Sequence, residues 1–145
     1  MYLNRLIGTW KLESYELRST DRVVFPFGED PIGYIMYNSD GYMSVTFMRS
    51  ERKKFVSADL EGGTAEEKVS AHDTYFSYCG RYEVFEDRIL HHIEVSLYPN
   101  WIGVKQERLY KFEEDELMLS TPPLVIDGKQ QTARLVWKKV RSARE

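Results

Sequence analysis

Cysteine is all but missing from this 145-residue chain: Cys79 stands alone. A lone thiol excludes an internal disulfide, and with it the stapled scaffolds of many small secreted domains, so a reducing compartment is the expected setting. No apolar run is long enough for a helical membrane span. Positive charge is in no excess, with 20 Lys and Arg against 23 Asp and Glu and a net charge of −3, so the basic footprint of a nucleic-acid binder is absent. The short basic clusters Arg49-Arg52-Lys53-Lys54 and Lys138-Lys139-Arg141-Arg144 read as solvated faces or frayed ends. Met1-Tyr2-Leu3-Asn4-Arg5 lacks the layout of a signal peptide. There is also no Gly-rich phosphate loop, no Gly-x-Ser-x-Gly elbow, no paired-cysteine zinc motif and no dinucleotide fingerprint. These absences lead to the expectation of a cytoplasmic protein with no cofactor and no metal, engaging neither nucleic acid nor membrane.

What the chain does have is short alternating runs separated by turn signals, with ten Tyr among its aromatics. Tyr suits both strands and cavity walls, because it joins an apolar ring to a polar tip. The length allows one domain, residues 1–145. Gly8 to Arg18 reads as a first strand, with Trp10, Leu12 and Ser14 on one face. Val23 to Pro31 reads as an edge piece and loop, because its prolines break a central strand. Gly33 to Asn38 and Tyr42 to Met48 form a hairpin about Ser39-Asp40-Gly41. Pairing outward from that turn places Ile35, Tyr37, Met43, Val45 and Phe47 together, facing inward.

Thr64-Ala65-Glu66-Glu67 is a capping box opening a helix that runs to about Tyr78, with Val69, His72, Tyr75, Phe76 and Cys79 at helical spacing. Arg81 to Glu86 then turns at Asp87-Arg88 into Ile89 to Ser96. That turn predicts Val84 opposite His91, Tyr82 opposite Ile93, and an outer ladder of Arg81, Glu83, His92 and Glu94. Lys105 to Glu113 turns at Glu114-Asp115 into Leu117 to Thr121, pairing Phe112 with Leu117 and Tyr110 with Leu119. Thr132 to Val140 is the last strand. The sum is about eight strands and one helix packed against them. Short hairpins favour up-and-down order, and closure into an antiparallel β-barrel removes two costly edges. An all-β closed or nearly closed barrel of that size is filled by side chains or holds one small ligand.

Several runs resemble a known family. Gly8-Thr9-Trp10 resembles the Gly-x-Trp opening of lipocalins. Phe25-Pro26-Phe27-Gly28-Glu29-Asp30-Pro31-Ile32-Gly33-Tyr34, Tyr78-Cys79-Gly80-Arg81-Tyr82-Glu83-Val84, His91-His92-Ile93-Glu94 and Pro99-Asn100-Trp101-Ile102-Gly103 resemble the bacterial and fungal lipocalin-like domain family, as do Asp40 to Val45, Leu119 to Pro123 and Leu135-Val136-Trp137. The resemblance runs in order through nearly the whole chain. It implies a lipocalin-like barrel with hydrophobic small-molecule binding inside, and a few relatives of the wider class catalyse isomerisation or cyclisation there. Secreted lipocalins have a signal peptide and a cysteine pair; with the single Cys79 and no signal-like layout at Met1 to Arg5, transport outside the cell is not the expectation.

The candidate site residues follow from the predicted faces. Gln106, Arg108, Tyr110 and Phe112 share the face that meets Leu117 and Leu119, which turns a guanidinium into an apolar barrel. A buried charge is expensive without a partner. Arg108 therefore needs a protein carboxylate, a carbonyl cluster, or an anionic or carbonyl-bearing ligand, for which its fork is suited; otherwise it sits at the barrel end, lying across Trp10 or snorkelling to water. His91, beside Ile89, Ile93 and Val95, is a general acid or base or else a satisfied core histidine, and a register slip of one residue exchanges it with His92. Tyr37, Tyr82 and Tyr110 bring hydroxyls inward, to a ligand or to one another. Trp101 is a rim residue, and Trp10 reads as a plug at the closed end. Three functions remain: binding of a small hydrophobic or aromatic ligand bearing a carboxylate or carbonyl, through Arg108, Gln106, Tyr110, Tyr37, Tyr82, His91 and Trp101; a cofactor-free isomerase, cyclase or dehydratase using His91, Tyr82 and Arg108 as catalytic groups; or an interaction domain with a filled barrel. A homodimer is left open. A cavity of a few hundred Å³ separates the first two from the third, and a strongly shifted His91 beside a Tyr or Arg108 favours the enzyme.

Overall fold

A computed structural model describes residues 5–143; Arg144 and residues 1–4 of the termini considered above lie outside that range. Eight strands form a closed antiparallel barrel: β1 (Gly8–Arg18), β3 (Ile32–Tyr37), β4 (Tyr42–Met48), β5 (Tyr75–Val84), β6 (Arg88–Ser96), β7 (Lys105–Glu113), β8 (Glu116–Ser120) and β10 (Lys129–Lys139). Closure comes from β1 pairing with β10, from Trp10 opposite Lys139 to Arg18 opposite Thr132. Two short strands, β2 (Val23–Val24) and β9 (Leu124–Ile126), extend β1 and β10 at one mouth. The helix α1 (Ala65–Asp73) and a single 3-10 turn (Pro99–Trp101) complete the elements.

The inward faces follow the predicted alternation through most of the barrel. Ile35 pairs with Val45 and Tyr37 with Met43, and all four are buried with Phe47. Tyr110 pairs with Leu119 and Phe112 with Leu117, about a turn in which Glu114 takes a positive φ of 54°.

Three local features depart from simple alternation. A bulge in β1 between Leu12 and Ser14 inserts one residue, so the inward series runs Trp10, Leu12, then Tyr15 and Leu17, and Ser14 leaves the predicted face. The β5–β6 turn centres on Glu86-Asp87, with Phe85 N–H donating to the Arg88 carbonyl at 2.8 Å. Tyr82 therefore pairs with His91 and Val84 with Ile89, two residues from the predicted register, and the shift by two keeps every face. The predicted outer pairs survive as diagonal contacts, His92 Nε2 to Glu83 at 2.6 Å and Arg81 Nε to Glu94 at 3.4 Å. A second bulge falls between Cys79 and Gly80, and beyond it Val95 is exposed and Cys79 only half-buried.

The capping box forms as expected: Glu67 N–H donates to Thr64 Oγ1 at 3.1 Å, and Thr64 N–H donates to Glu67 Oε1 at 2.9 Å. The helix ends at Asp73, well short of Tyr78, and none of its residues is buried; Val69 is 59% exposed. Tyr75-Phe76-Ser77-Tyr78-Cys79 is strand. Their β-favouring aromatics alternate between the two faces of the sheet, and pairing with β4 outweighs the helical spacing. Hydrogen bonds hold the helix to the preceding loop, including Arg52 Nη2 to the Ala71 carbonyl and Val56 N–H to Glu67 Oε2.

Candidate functional site

Along the barrel axis the interior divides into a filled half and a hollow half. Trp10, Met43, Tyr82, Ile89 and Leu117 are buried and pack the filled half. Trp10 donates its indole N–H to the Leu6 carbonyl at 2.9 Å and carries Lys139 over its ring, so it is not the partner of Arg108. The other half encloses a cavity of ≈ 490 Å³. Its wall is mostly aliphatic and aromatic, with Ile35, Val45, Phe47, Leu119 and Trp137 among the strand contributions. Phe27, Tyr98, Trp101 and β9 supply the rim from the loops.

The floor between the halves carries the polar groups. Arg108 is 7% exposed and lines the cavity. Its Nη1 donates to the Glu107 carbonyl at 3.0 Å and to Gln106 Oε1 at 3.4 Å, and its Nη2 reaches Tyr78 Oη at 3.5 Å. The guanidinium carbon lies 5.7 Å from the centre of the Trp101 ring, within cation–π range. Among the described residues Arg108 has no ion pair with a carboxylate. A cation held by neutral groups alone keeps most of its field for whatever enters the cavity.

His91 is 1% exposed and sits between two hydroxyls, with Tyr37 Oη 2.7 Å from Nε2 and Tyr78 Oη 2.7 Å from Nδ1. Burial, reinforced by the Arg108 charge and by His92, holds its imidazole well below the ordinary histidine range, so it is neutral. Burial also raises the hydroxyls: Tyr37 well above its usual value, with Tyr78 adding to the rise, and Tyr78 to a lesser degree against the pull of Arg108. Tyr15, brought inward by the β1 bulge, is pushed up to about 12 by burial, again opposed by Arg108. All three tyrosines stay protonated near neutral pH, and the floor is a chain of hydrogen-bonding groups running Tyr37, His91, Tyr78, Arg108. The indole Nε1 of Trp137, in the same wall, is buried with no hydrogen-bond partner among the described residues.

Of the residues singled out from sequence, Arg108, His91 and Trp101 line the cavity. Tyr37 and Gln106 stand behind the lining and reach it through His91 and Arg108. Tyr82 and Tyr110 turn their hydroxyls elsewhere, to the carbonyls of Asn38 at 2.7 Å and Phe85 at 2.6 Å. Sequence reasoning missed Tyr78, assigned to the helix, and Tyr15, displaced by a bulge with no sequence signal of its own. Among the described residues no group of three His, Cys, Asp or Glu is placed to hold a metal ion, and no helix is long and apolar enough to cross a membrane.

Comparison with known proteins gives two findings. The sequence model of a family described as "Lipocalin-like domain" matches residues 7–140. A curated protein of Aspergillus oryzae named "4'-hydroxy-3'-methoxypropiophenone carrier protein ppsC" is 38% identical over 107 residues, 68% of this chain and 96% of that protein. No solved structure matches.

Proposed function

The chain belongs to the lipocalin-like domain family, and from that premise we propose that it binds a small, largely apolar aromatic molecule whose carbonyl or carboxylate oxygen meets Arg108 on the cavity floor. One observation carries the reading: a buried guanidinium, without a carboxylate partner among the described residues, lies in the wall of a ≈ 490 Å³ cavity. Apolar walls with a few convergent polar groups, at a volume of several hundred Å³, are the usual composition of a small-molecule site. The cation can donate two parallel hydrogen bonds to a carboxylate, or one to a ketone. The name of the fungal relative supports the same chemistry, since 4'-hydroxy-3'-methoxypropiophenone is an aromatic ketone. The cytoplasmic setting expected from the single thiol belongs to this reading as well.

A second reading is favoured by one observation, the neutral His91 held within 2.7 Å of two tyrosines. In that reading the site removes a proton from the carbon beside the ligand carbonyl while Arg108 stabilises the enolate. Both imidazole nitrogens are already engaged by hydroxyls, and the raised tyrosines are poor acids, so the arrangement is better suited to holding a carbonyl than to moving a proton. Titration calorimetry with 4'-hydroxy-3'-methoxypropiophenone tests the binding reading: a saturable one-site isotherm is expected, and no detectable heat with this compound or its carboxylate analogues ends it. NMR of the same ketone in D2O with the protein tests the enzyme reading, which requires faster deuterium exchange at the α carbon.

A further inference from the structure

The buried floor of the cavity fixes the direction of its hydrogen bonds. Tyr37, neutral His91 and Tyr78 together hold three mobile protons, two hydroxyl and one imidazole, but only two hydrogen bonds link them. One proton is left over at one end of the chain. If Nε2 carries the imidazole proton, Tyr37 must accept it, and the Tyr37 hydroxyl proton is stranded. Tyr37 is 1% exposed, is not part of the cavity lining, and its only polar partner among the described residues is His91. If Nδ1 carries the proton, Tyr37 donates to Nε2, Tyr78 accepts from Nδ1, and the spare proton sits on Tyr78, which lines the cavity. The Arg108 charge prefers a lone pair at Nδ1, but it acts on the imidazole across the Tyr78 oxygen. A hydroxyl proton with no acceptor in a buried position disfavours the Nε2–H form by about tenfold or more in population.

We infer that His91 is the Nδ1–H tautomer and acts as a positioning residue, turning the Tyr78 hydroxyl into a hydrogen-bond donor aimed at the ligand, so that the cavity selects an acceptor oxygen such as a ketone. The proposal rests on the binding function above and deepens it. Tyr78 and Arg108 then form a wall weighted to donors, and the guanidinium cannot accept at all. A ligand with a ketone or carboxylate oxygen satisfies such a wall; one with no acceptor oxygen at that place does not.

Two measurements test this and separate it from the binding reading. A long-range 1H–15N spectrum of the ligand-free protein should show His91 with a pyrrole-type Nδ1 and a pyridine-type Nε2; the reverse assignment overturns the inference whatever the protein binds. The second compares 4'-hydroxy-3'-methoxypropiophenone with its deoxo analogue 2-methoxy-4-propylphenol, and with 3'-methoxypropiophenone, which keeps the ketone and lacks the phenol. Wild type should lose about tenfold or more in affinity on losing the ketone and little on losing the phenol. Tyr78→Phe should bind the ketone about tenfold more weakly and discriminate less between ketone and deoxo compound. Equal affinity of wild type for both, or discrimination unchanged in Tyr78→Phe, contradicts the assignment, while binding of the ketone as such would still stand.

Discussion

Replacing Arg108 by Met separates a ligand anchor from a structural ion. The side chain is 7% exposed, and among the described residues its hydrogen bonds and ring contact go to neutral groups: two oxygens of its own strand, the Tyr78 hydroxyl at 3.5 Å and the Trp101 ring at 5.7 Å. Met fills a comparable length of the same channel without a charge to desolvate. Exchanging a buried ion pair for apolar groups of similar volume is often neutral or stabilising by about 1–4 kcal/mol, and a lone buried cation bears the same kind of desolvation cost without a counter-ion to offset it, against a cation–π loss of about 0.5–1 kcal/mol. The ligand-free variant should therefore unfold in urea with a free energy within about 1 kcal/mol of wild type, or higher. Binding should move the other way. A charge-assisted hydrogen bond to the ligand oxygen is worth about 1.5–3 kcal/mol, a rise in Kd of about 10- to 150-fold for 4'-hydroxy-3'-methoxypropiophenone by calorimetry. A variant that loses about 3–5 kcal/mol of stability and binds the ketone as tightly as wild type would refute the reasoning, because Arg108 would then hold the fold and not the ligand.

Three further outcomes are expected. Ala133→Phe, on β10 in the cavity wall, should fill part of the hollow and abolish detectable ketone binding by calorimetry while leaving the melting temperature close to wild type. Gly80→Ala should cost about 1–3 kcal/mol in urea unfolding, because a Cβ at the β5 bulge runs into the His92 carbonyl oxygen on β6. Acid should weaken the fold through His91. Its folded-state value lies well below that of the unfolded chain, so below a pH of about 6.5 the unfolded state takes up a proton that the native state refuses. Stability then falls with falling pH at up to about 1.4 kcal/mol per pH unit, and His91→Gln, measured in parallel, should show a shallower slope over that window.

The barrel was legible because its determinants are local and repeated. Alternation fixed the faces of β3, β4, β7 and β8, and Gly41 and the Glu114-Asp115 pair marked turns that the structure uses. Even the misplaced β5–β6 turn did no harm to the reading of His91 and His92, since a shift by two residues preserves which side chain faces inward. The cavity was less legible. Which half of the interior is hollow depends on summed side-chain volumes from eight strands, a quantity no single segment carries. Tyr78 was hidden because Tyr75 to Cys79 fits helical spacing as well as strand alternation, and only the β4 partner decides between them. Tyr15 was hidden by a bulge that reverses the faces in the second half of β1. Arg108 could be placed inward from alternation alone, but its lack of a carboxylate partner required coordinates.

The central claim is that the ligand lies inside the barrel, over Arg108. Intermolecular NOEs between 4'-hydroxy-3'-methoxypropiophenone and the methyl groups of the protein test it directly. The ring and methoxy protons should contact Ile35, Val45, Leu119 and Leu135, all of which line the cavity. Contacts confined to outward-facing methyls such as Val69, Val95 or Ile102, with the cavity methyls silent, would contradict it.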